Sequence, residues 1–257
     1  MPILLLKLTL APLLIAAATF VQRRWGGSLG GLMVGLPLTS APVSVFIALE
    51  RGPAFAARSA IGTLLGTVAM SGFCAVYAIS ARRLSWLPSA MLASFTCAVV
   101  TIVMSRVPQD AVTAAAISYP ALLALILMTE RPGIRLPAVP PPWCDTPARM
   151  VAAVAAVALI TAAAGFIGPT WSGLLATLPV FAAVMGIFSH RHGGHPAAHA
   201  VLRGVSVGAF GAATFFLIVA LLLPGVGLFP AYAVAGLAGL GAAGLSHAVF
   251  SRREPLG

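Results

Sequence analysis

Charged residues are scarce in this chain, and acidic residues are the scarcest of them. Its 257 residues include five aspartates and glutamates and fifteen lysines and arginines, so 8% of the chain is charged, against about 25% in soluble domains. Hydrophobic residues make up 60%, and the mean hydropathy is +1.03. So few charges cannot cover a water-soluble core of this size, but they can cover the rims of a protein whose belt faces lipid. The composition therefore predicts an integral membrane protein.

The lack of acidic residues also limits the chemistry that the chain can perform. Five carboxylates leave little for acid–base or metal catalysis, and there is no HExxH, clustered aspartate or Walker motif. We therefore expect that the protein is not an enzyme and needs no cofactor. Basic stretches interleaved with aromatic residues are also absent. The net charge of +10 therefore does not indicate nucleic-acid binding.

Cysteines are few, and their spacing does not suit a metal. Cys74 and Cys97 lie in apolar runs and are interpreted as packing residues, and Cys144 stands apart from both. His195 and His199 have the i, i+4 spacing of zinc ligands, but no cysteine or carboxylate accompanies them. We expect no metal site and interpret the stretch 190–199 as a titratable, basic cytoplasmic loop.

Long apolar runs are abundant, and each is interpreted as a helix crossing the bilayer. A crossing takes about 20 apolar residues, and only helices satisfy their backbone within one segment in lipid. The fold class is therefore all-α. The first run is interpreted as a span and not as a signal peptide, because Arg23 and Arg24 follow it. Nine crossings are predicted, at 3–21, 29–49, 58–80, 86–105, 111–129, 150–168, 171–189, 204–223 and 229–250.

The arginines predict the orientation. With the N-terminus outside, eleven arginines fall on the inside and three on the outside, as the positive-inside rule requires. The C-terminus is then cytoplasmic, and the predicted location is a bacterial inner membrane. The inside set is Arg23, Arg24, Arg82, Arg83, Arg131, Arg135, Arg149, Arg191, Arg203, Arg252 and Arg253; the outside set is Arg51, Arg58 and Arg106.

An internal repeat divides the chain into two halves. The segments 31–37 and 173–179 both begin with Gly-Leu and end with Leu-Pro, and they are 142 positions apart. The same offset pairs Phe46 with Phe188, Gly52 with Gly194, Gly62 with Gly204, Gly66 with Gly208 and Pro88 with Pro230. We predict a four-helix repeat over 1–107, a linking helix and cytoplasmic linker over 108–149, and a second four-helix repeat over 150–257. Five crossings separate equivalent helices, so the second repeat is inverted, a plan common in secondary transporters.

The second half resembles the small GlpM-type membrane proteins of bacteria. That family has a Gly-Leu, Pro-x-Phe, apolar, His, basic-loop, Gly pattern in a chain of about half this length. The first half departs from it, with Thr39 where the second half has Phe181. The resemblance implies a link to envelope polysaccharide production and a fusion of two short units. The matching residues are Ser172 to Leu174, Leu178 to Phe181, Phe188 to His190 and Ala200 to Gly204.

The second span carries the candidate substrate site. Two prolines, at 37 and 42, remove helical donors near the middle of the span and free the carbonyls upstream of them. Matching breaks in two halves of a transporter indicate a binding site, although a pair of structural kinks is the alternative. We predict that the span unwinds between Gly35 and Ser44 and that Thr39 and Ser40 face a cavity shared with 177–179. The candidate residues are Gly35, Pro37, Thr39, Ser40, Pro42, Ser44, Thr177 and Pro179.

Charged and titratable groups near the spans are candidates for coupling or gating. Glu50 ends the second span beside Arg51 and near Arg58, where a solvated rim pair is the alternative. His247 lies in the ninth span and is able to relay protons there, unless it is simply packed or interfacial. Lys7 is interpreted as snorkelling to the outer interface.

These patterns favour a secondary transporter, exporter or flippase for a small polar, anionic or lipid-linked substrate. The alternative is a non-catalytic membrane subunit of an envelope polysaccharide or lipid synthesis complex, with a channel as a third option. The repeat and the midplane breaks favour transport, whereas the lack of a buried carboxylate favours the subunit. The expected partners are the lipid bilayer, the substrate, and a second copy or envelope-synthesis proteins.

Overall fold

The described part of the chain consists of helices joined by short turns. The structure, a computed structural model, describes residues 2–129, 144–167 and 179–251, and the side chains of 2–10, 160–167 and 251 lie outside what it describes. No strand occurs in these ranges. The helices are α1 Pro2–Trp25, α2 Gly27–Gly35, α3 Ser40–Arg51, α4 Pro53–Ser80, α5 Trp86–Met104, α6 Ala111–Met128, α7 Asp145–Ile167, α8 Val180–Val226 and α9 Leu228–Ser251.

Six of the described segments are long and apolar enough to cross a membrane. They confirm the all-α class and a multi-pass membrane protein. Their apolar side chains cover the outside of the bundle, where Phe229, Leu237 and Val112 are each at least three-quarters exposed. The segments are Gly27–Arg51, Pro53–Ser80, Trp86–Met104, Ala111–Met128, Val180–Val226 and Leu228–Phe250.

The helix α8 consists of two arms that fold back on each other. Gly194 has a non-helical backbone, with φ 67° and ψ −167°. Gly186 lies against the side chain of Leu202, although 16 residues along a straight helix would span about 24 Å. We call the arms α8a (180–193) and α8b (195–226).

This helical hairpin corrects two expectations about the second half. The histidine-rich stretch 190–199, expected as a loop, is helical apart from the turn at Gly194. Arg203, expected in a cytoplasmic loop, lies within α8b and is 8% exposed. Its guanidinium donates to the carbonyl oxygens of Ile126 and Thr129 at 3.0 and 2.7 Å. Arg203 therefore satisfies acceptors at the C-terminal end of α6, where a cation is favoured.

Gly52 and Gly194, which the predicted repeat pairs, make the same kind of turn. Gly52, with φ 86° and ψ 164°, joins α3 to α4 as Gly194 joins α8a to α8b. Residues with a Cβ rarely adopt this region. Glycine at these two positions allows α3 to turn directly into α4, and α8a into α8b.

The centre of the bundle is the antiparallel pair of α4 and α8b. Ala60, Leu64 and other residues in the first part of α4 pack with Ala213 and Phe216, and Phe73 and Tyr77 later in α4 pack with Ala198 and Leu202. The helix α6 contacts both: Ser118 donates to the carbonyl of Leu64, and the hydroxyls of Tyr119 and Thr214 lie 2.9 Å apart.

A face of glycines brings α2 against α8b without intervening side chains. A Cβ at Gly31 would collide with the carbonyl oxygen of Val201, and one at Gly204 with that of Ser28. Gly35 and Gly208 meet in the same way. Small residues spaced four apart allow such close approach in membrane helices. This contact positions the end of α2, and hence the break that follows it.

Candidate functional site

The second span is interrupted at residues 36–39. Leu36 is extended, with φ −67° and ψ 152°, because the α-region is disfavoured before a proline. Pro37 lacks the N–H needed to continue α2, and α3 starts at Ser40. Pro42 lies in the first turn of α3, where helical N–H groups have no intrahelical partner in any case. The break therefore lies within the interval predicted from the two prolines.

A small cavity lies beside this break. Thr39 lines it together with Phe181 at the start of α8a, and other walls come from Ile15, Ala18 and Val34. It has room for about one water molecule. The hydroxyl of Thr39 is the polar side-chain group among the described lining residues, whose other side chains are apolar. Thr39 and Phe181 are 142 positions apart, which is the offset of the predicted repeat.

The remaining candidate substrate residues have different surroundings. Gly35 packs on Val205 and Gly208, and the hydroxyl of Ser44 lies 2.7 Å from that of Tyr232 on α9. Ser40 is not among the residues that line the cavity. Pro179 directly precedes α8a, whereas Thr177 lies outside the described residues.

The candidate coupling residues are not joined to this cavity. Glu50, Arg51 and Arg58 are exposed, and no ion pair links them among the described residues. Arg51 instead lies 5.8 Å from the centroid of the Phe55 ring. His247 is half-buried on α9, and the side chain of Lys7 lies outside what the structure describes.

A buried polar network lies where α1, α7 and α8a meet, and sequence reasoning missed it. Asp145 is 2% exposed and Arg149 is 3% exposed. Oδ2 of Asp145 accepts from Nε of Arg149 at 2.9 Å and from Arg23 at 3.2 Å. Nδ1 of His192 lies 3.1 Å from Oδ1, but without hydrogen-bond geometry, so Oδ1 has no donor within the described part of the chain. We call these four residues the Asp145 cluster.

Further side chains connect this cluster to α1 and α8a. One terminal nitrogen of Arg149 donates to Gln22 at 3.1 Å and approaches the sulfur of Met185 at 3.4 Å. Gln22 in turn donates to the hydroxyl of Ser189 at 2.9 Å. The guanidinium of Arg149 also lies 5.5 Å from the centroid of the Phe188 ring, a favourable cation–π distance.

The Asp145 cluster and the cavity lie at different levels along α1, with Met185 between them. Ile15 and Ala18 line the cavity and also pack with Met185. The hydroxyl of Thr19 lies 3.7 Å from the sulfur of the same Met185. From Ile15 to Arg23 the rise along α1 is about 12 Å. A layer formed by Met185 and Thr19 therefore separates the cavity from the cluster.

The sequence does not single out Asp145, because this residue follows a proline-rich stretch within the predicted cytoplasmic linker. A signal was present in the i, i+4 spacing of Asp145 and Arg149 at the start of an apolar run. The partners on α1 and α8a are distant in sequence and gave no signal. Neither this cluster nor any other described part of the chain holds three His, Cys, Asp or Glu side chains placed to bind a metal.

Comparison with protein-family models, with curated proteins and with solved structures finds no match to this chain. The geometry of the broken span and of the Asp145 cluster therefore carries the functional argument.

Proposed function

We propose that this protein is a secondary transporter, exporter or flippase that works by alternating access about the break at 36–39. The observation that carries the proposal is the cavity shared by Thr39 and Phe181, which are equivalent residues of the two halves. A site between inverted halves lies on their symmetry axis. Exchange of the two half-conformations would then open it to opposite sides of the membrane.

Contacts between equivalent helices support the inverted repeat of nine crossings. The helices α4 and α8b, related by the 142 offset, pack antiparallel. So do α1 and α7, because Arg23 meets Asp145 at one end while Ile15 packs near Ala153 further along. A twofold rotation that relates two antiparallel helices has its axis perpendicular to both helices. For helices that cross a bilayer, such an axis lies in the membrane plane. The hairpin at Gly194 supports counting α8 as two crossings.

The orientation follows from the arginine distribution. With the N-terminus outside and the C-terminus inside a bacterial inner membrane, the Asp145 cluster lies at the cytoplasmic ends of α1 and α7. The cluster then lies between the cavity and the cytoplasm, where it acts as the inner seal. The relationship to GlpM-type proteins belongs to the same proposal and accounts for the fused halves.

The walls of the cavity favour an amphipathic substrate. In the described state the cavity has room for about one water molecule, so transport requires it to widen. A widened cavity with one hydroxyl among apolar side chains suits an acyl or isoprenoid chain better than a hydrated ion. Among the substrates expected from the sequence, a lipid-linked one therefore fits best, with the bilayer as its source. An envelope-synthesis partner that makes or consumes such a lipid is the expected neighbour, and a homodimer is compatible with the exposed apolar surface.

Reconstitution in liposomes tests the proposal. The assays are dithionite bleaching of fluorescent phosphatidylglycerol, for lipid translocation, and uptake of a panel of small radiolabelled anions. Thr39→Val removes the hydroxyl from the cavity while keeping its shape, and we expect at least a fivefold loss of rate. Thr96→Val is the matched control, because the Thr96 hydroxyl bonds to the carbonyl of Leu92 in its own helix.

The alternative function gives a different result in the same assays. A non-catalytic subunit would transport nothing in the panel although it reconstitutes as a folded, monodisperse protein. Equal rates for Thr39→Val and Thr96→Val, in a liposome that does transport, would show that the break at 36–39 is a structural kink.

A further inference from the structure

Two guanidinium groups share one carboxylate in the Asp145 cluster. Arg149 and Arg23 both donate to Oδ2 of Asp145, so with His192 neutral the cluster has one positive charge in excess. Arg23 keeps 40% of its side chain exposed, whereas Arg149 is enclosed. The enclosed pair of Arg149 and Asp145 is neutral, so the excess charge lies on the partly exposed Arg23, at the edge of the cluster. The cluster is therefore suited to receive an additional anion.

Arg149 has hydrogen-bonding capacity beyond its bonds to Asp145 and Gln22, to which it donates at 2.9 and 3.1 Å. A guanidinium offers five N–H donors in a planar fork, which matches carboxylate and phosphate groups. In the structure one terminal nitrogen of Arg149 approaches the thioether of Met185, which is a weak acceptor. Met185 also packs on Ile15, which lines the cavity. An anion arriving from the cavity would replace the sulfur with a charged acceptor and form stronger bonds.

We propose that Arg149 binds the anionic group of the substrate, a phosphate or a carboxylate, and that Asp145 occupies Arg149 while the site is empty. The path from the cavity rests on the proposed transport function, but binding itself is measurable without transport. Because Asp145 also holds Arg23 and lies beside His192, its release from Arg149 loosens the junction of α1, α7 and α8a. Substrate binding would thus open the inner seal.

The variant Asp145→Asn tests whether the Asp145 carboxylate competes with an added anion for Arg149 or has only a structural role. The probe is inorganic phosphate, titrated by calorimetry at pH 7 and constant ionic strength into the full chain in phosphatidylcholine nanodiscs. Removal of the internal competitor should tighten phosphate binding at least tenfold. Phosphate binding by folded Asp145→Asn that is no tighter than that of the unsubstituted protein would overturn the proposal.

The variant Arg149→Lys tests the same site independently, including the case in which Asp145→Asn does not fold. Lysine keeps the charge but loses the planar fork, so phosphate affinity should fall at least tenfold. Arg24→Lys is the control, because Arg24 is an exposed neighbour of Arg23 on α1. Equal phosphate affinities of these two lysine variants would contradict the assignment of Arg149.

Nanodiscs that contain phosphatidylglycerol distinguish a lipid headgroup from a free anion. A headgroup bound at Arg149 would mask the phosphate isotherm in these discs, whereas a site for free anions would leave the isotherm unchanged. If phosphate binding depends on Arg149 but the liposome assays show no transport, the transport function is overturned and the anion site at Arg149 stands. If the liposomes show transport but phosphate binding does not depend on Arg149, the anion site is overturned and the transport function stands.

Discussion

The guanidinium of Arg203 donates to the carbonyl oxygen of Thr129 at 2.7 Å, and it thereby joins α8b to the end of α6. It also bonds to the hydroxyl of Thr129 and to the carbonyl of Ile126. Because α6 is the predicted link between the two halves, Arg203 ties this link to the second half at the predicted cytoplasmic end, and Tyr119 and Thr214 join the same two helices further along.

We expect Arg203→Met to lower the free energy of unfolding by about 2–4 kcal/mol, because it leaves buried carbonyl groups without their charged donor. Arg83→Met is the control, since Arg83 is exposed, and it should cost less than about 1 kcal/mol. Thermal unfolding in detergent, followed by tryptophan fluorescence, measures both. Equal melting temperatures would contradict the contact.

Glycine contacts between α2 and α8b predict a strong effect of a single methyl group. The Cβ of Gly31→Ala would collide with the backbone of Val201, and separating the helices should cost about 1–3 kcal/mol. Gly241→Ala on α9 meets nothing within 4 Å and should be neutral or slightly stabilising, because alanine favours helix. Urea or thermal unfolding of the two variants in the same detergent compares them. The packing described for α2 is wrong if Gly31→Ala is as stable as Gly241→Ala.

The similar turns at Gly52 and Gly194 predict that alanine at either position lowers the free energy of unfolding by a similar amount. Both glycines have positive φ and extended ψ, a region that costs residues with a side chain about 1–3 kcal/mol. We expect Gly52→Ala and Gly194→Ala each to destabilise by that amount. The double variant should lose roughly the sum, because the two turns begin the antiparallel helices α4 and α8b and therefore lie at opposite ends of that pair. Melting temperatures of the three variants decide this. A neutral effect at either position would show that its turn is not needed.

The arginine distribution predicts the location of the C-terminus. Fusion of a fluorescent protein to Gly257 should give fluorescent cells, and fusion of alkaline phosphatase at the same position should be inactive, because phosphatase folds only outside the inner membrane. A phosphatase fusion after Arg106, in a predicted outer loop, is the positive control. Activity from the C-terminal phosphatase fusion would reverse the predicted orientation.

Local chemistry made the helices and their interruptions predictable from sequence. Pro37 has no N–H and restricts Leu36, so the second span breaks beside it wherever the span lies in the bundle. Gly52 and Gly194 stand at turns because these turns need a positive φ, which glycine adopts far more readily than residues with a side chain. Apolar runs of about 20 residues form helices because lipid leaves the backbone no other partner. Each of these properties belongs to a few neighbouring residues.

Tertiary structure alone decided which of these residues meet. Asp145 appeared to be a linker residue, and it became a buried partner of Arg23 because α1 and α7 pack antiparallel with α8a beside them. Ser44 appeared to be free for a substrate, and Tyr232 on α9 occupies its hydroxyl. Thr39 and Phe181 share a cavity through contacts that join helices far apart in the chain. Apolar periodicity marks such helices as buried but does not say against which partner, and so the charges and hydroxyls that meet between them were decided by packing.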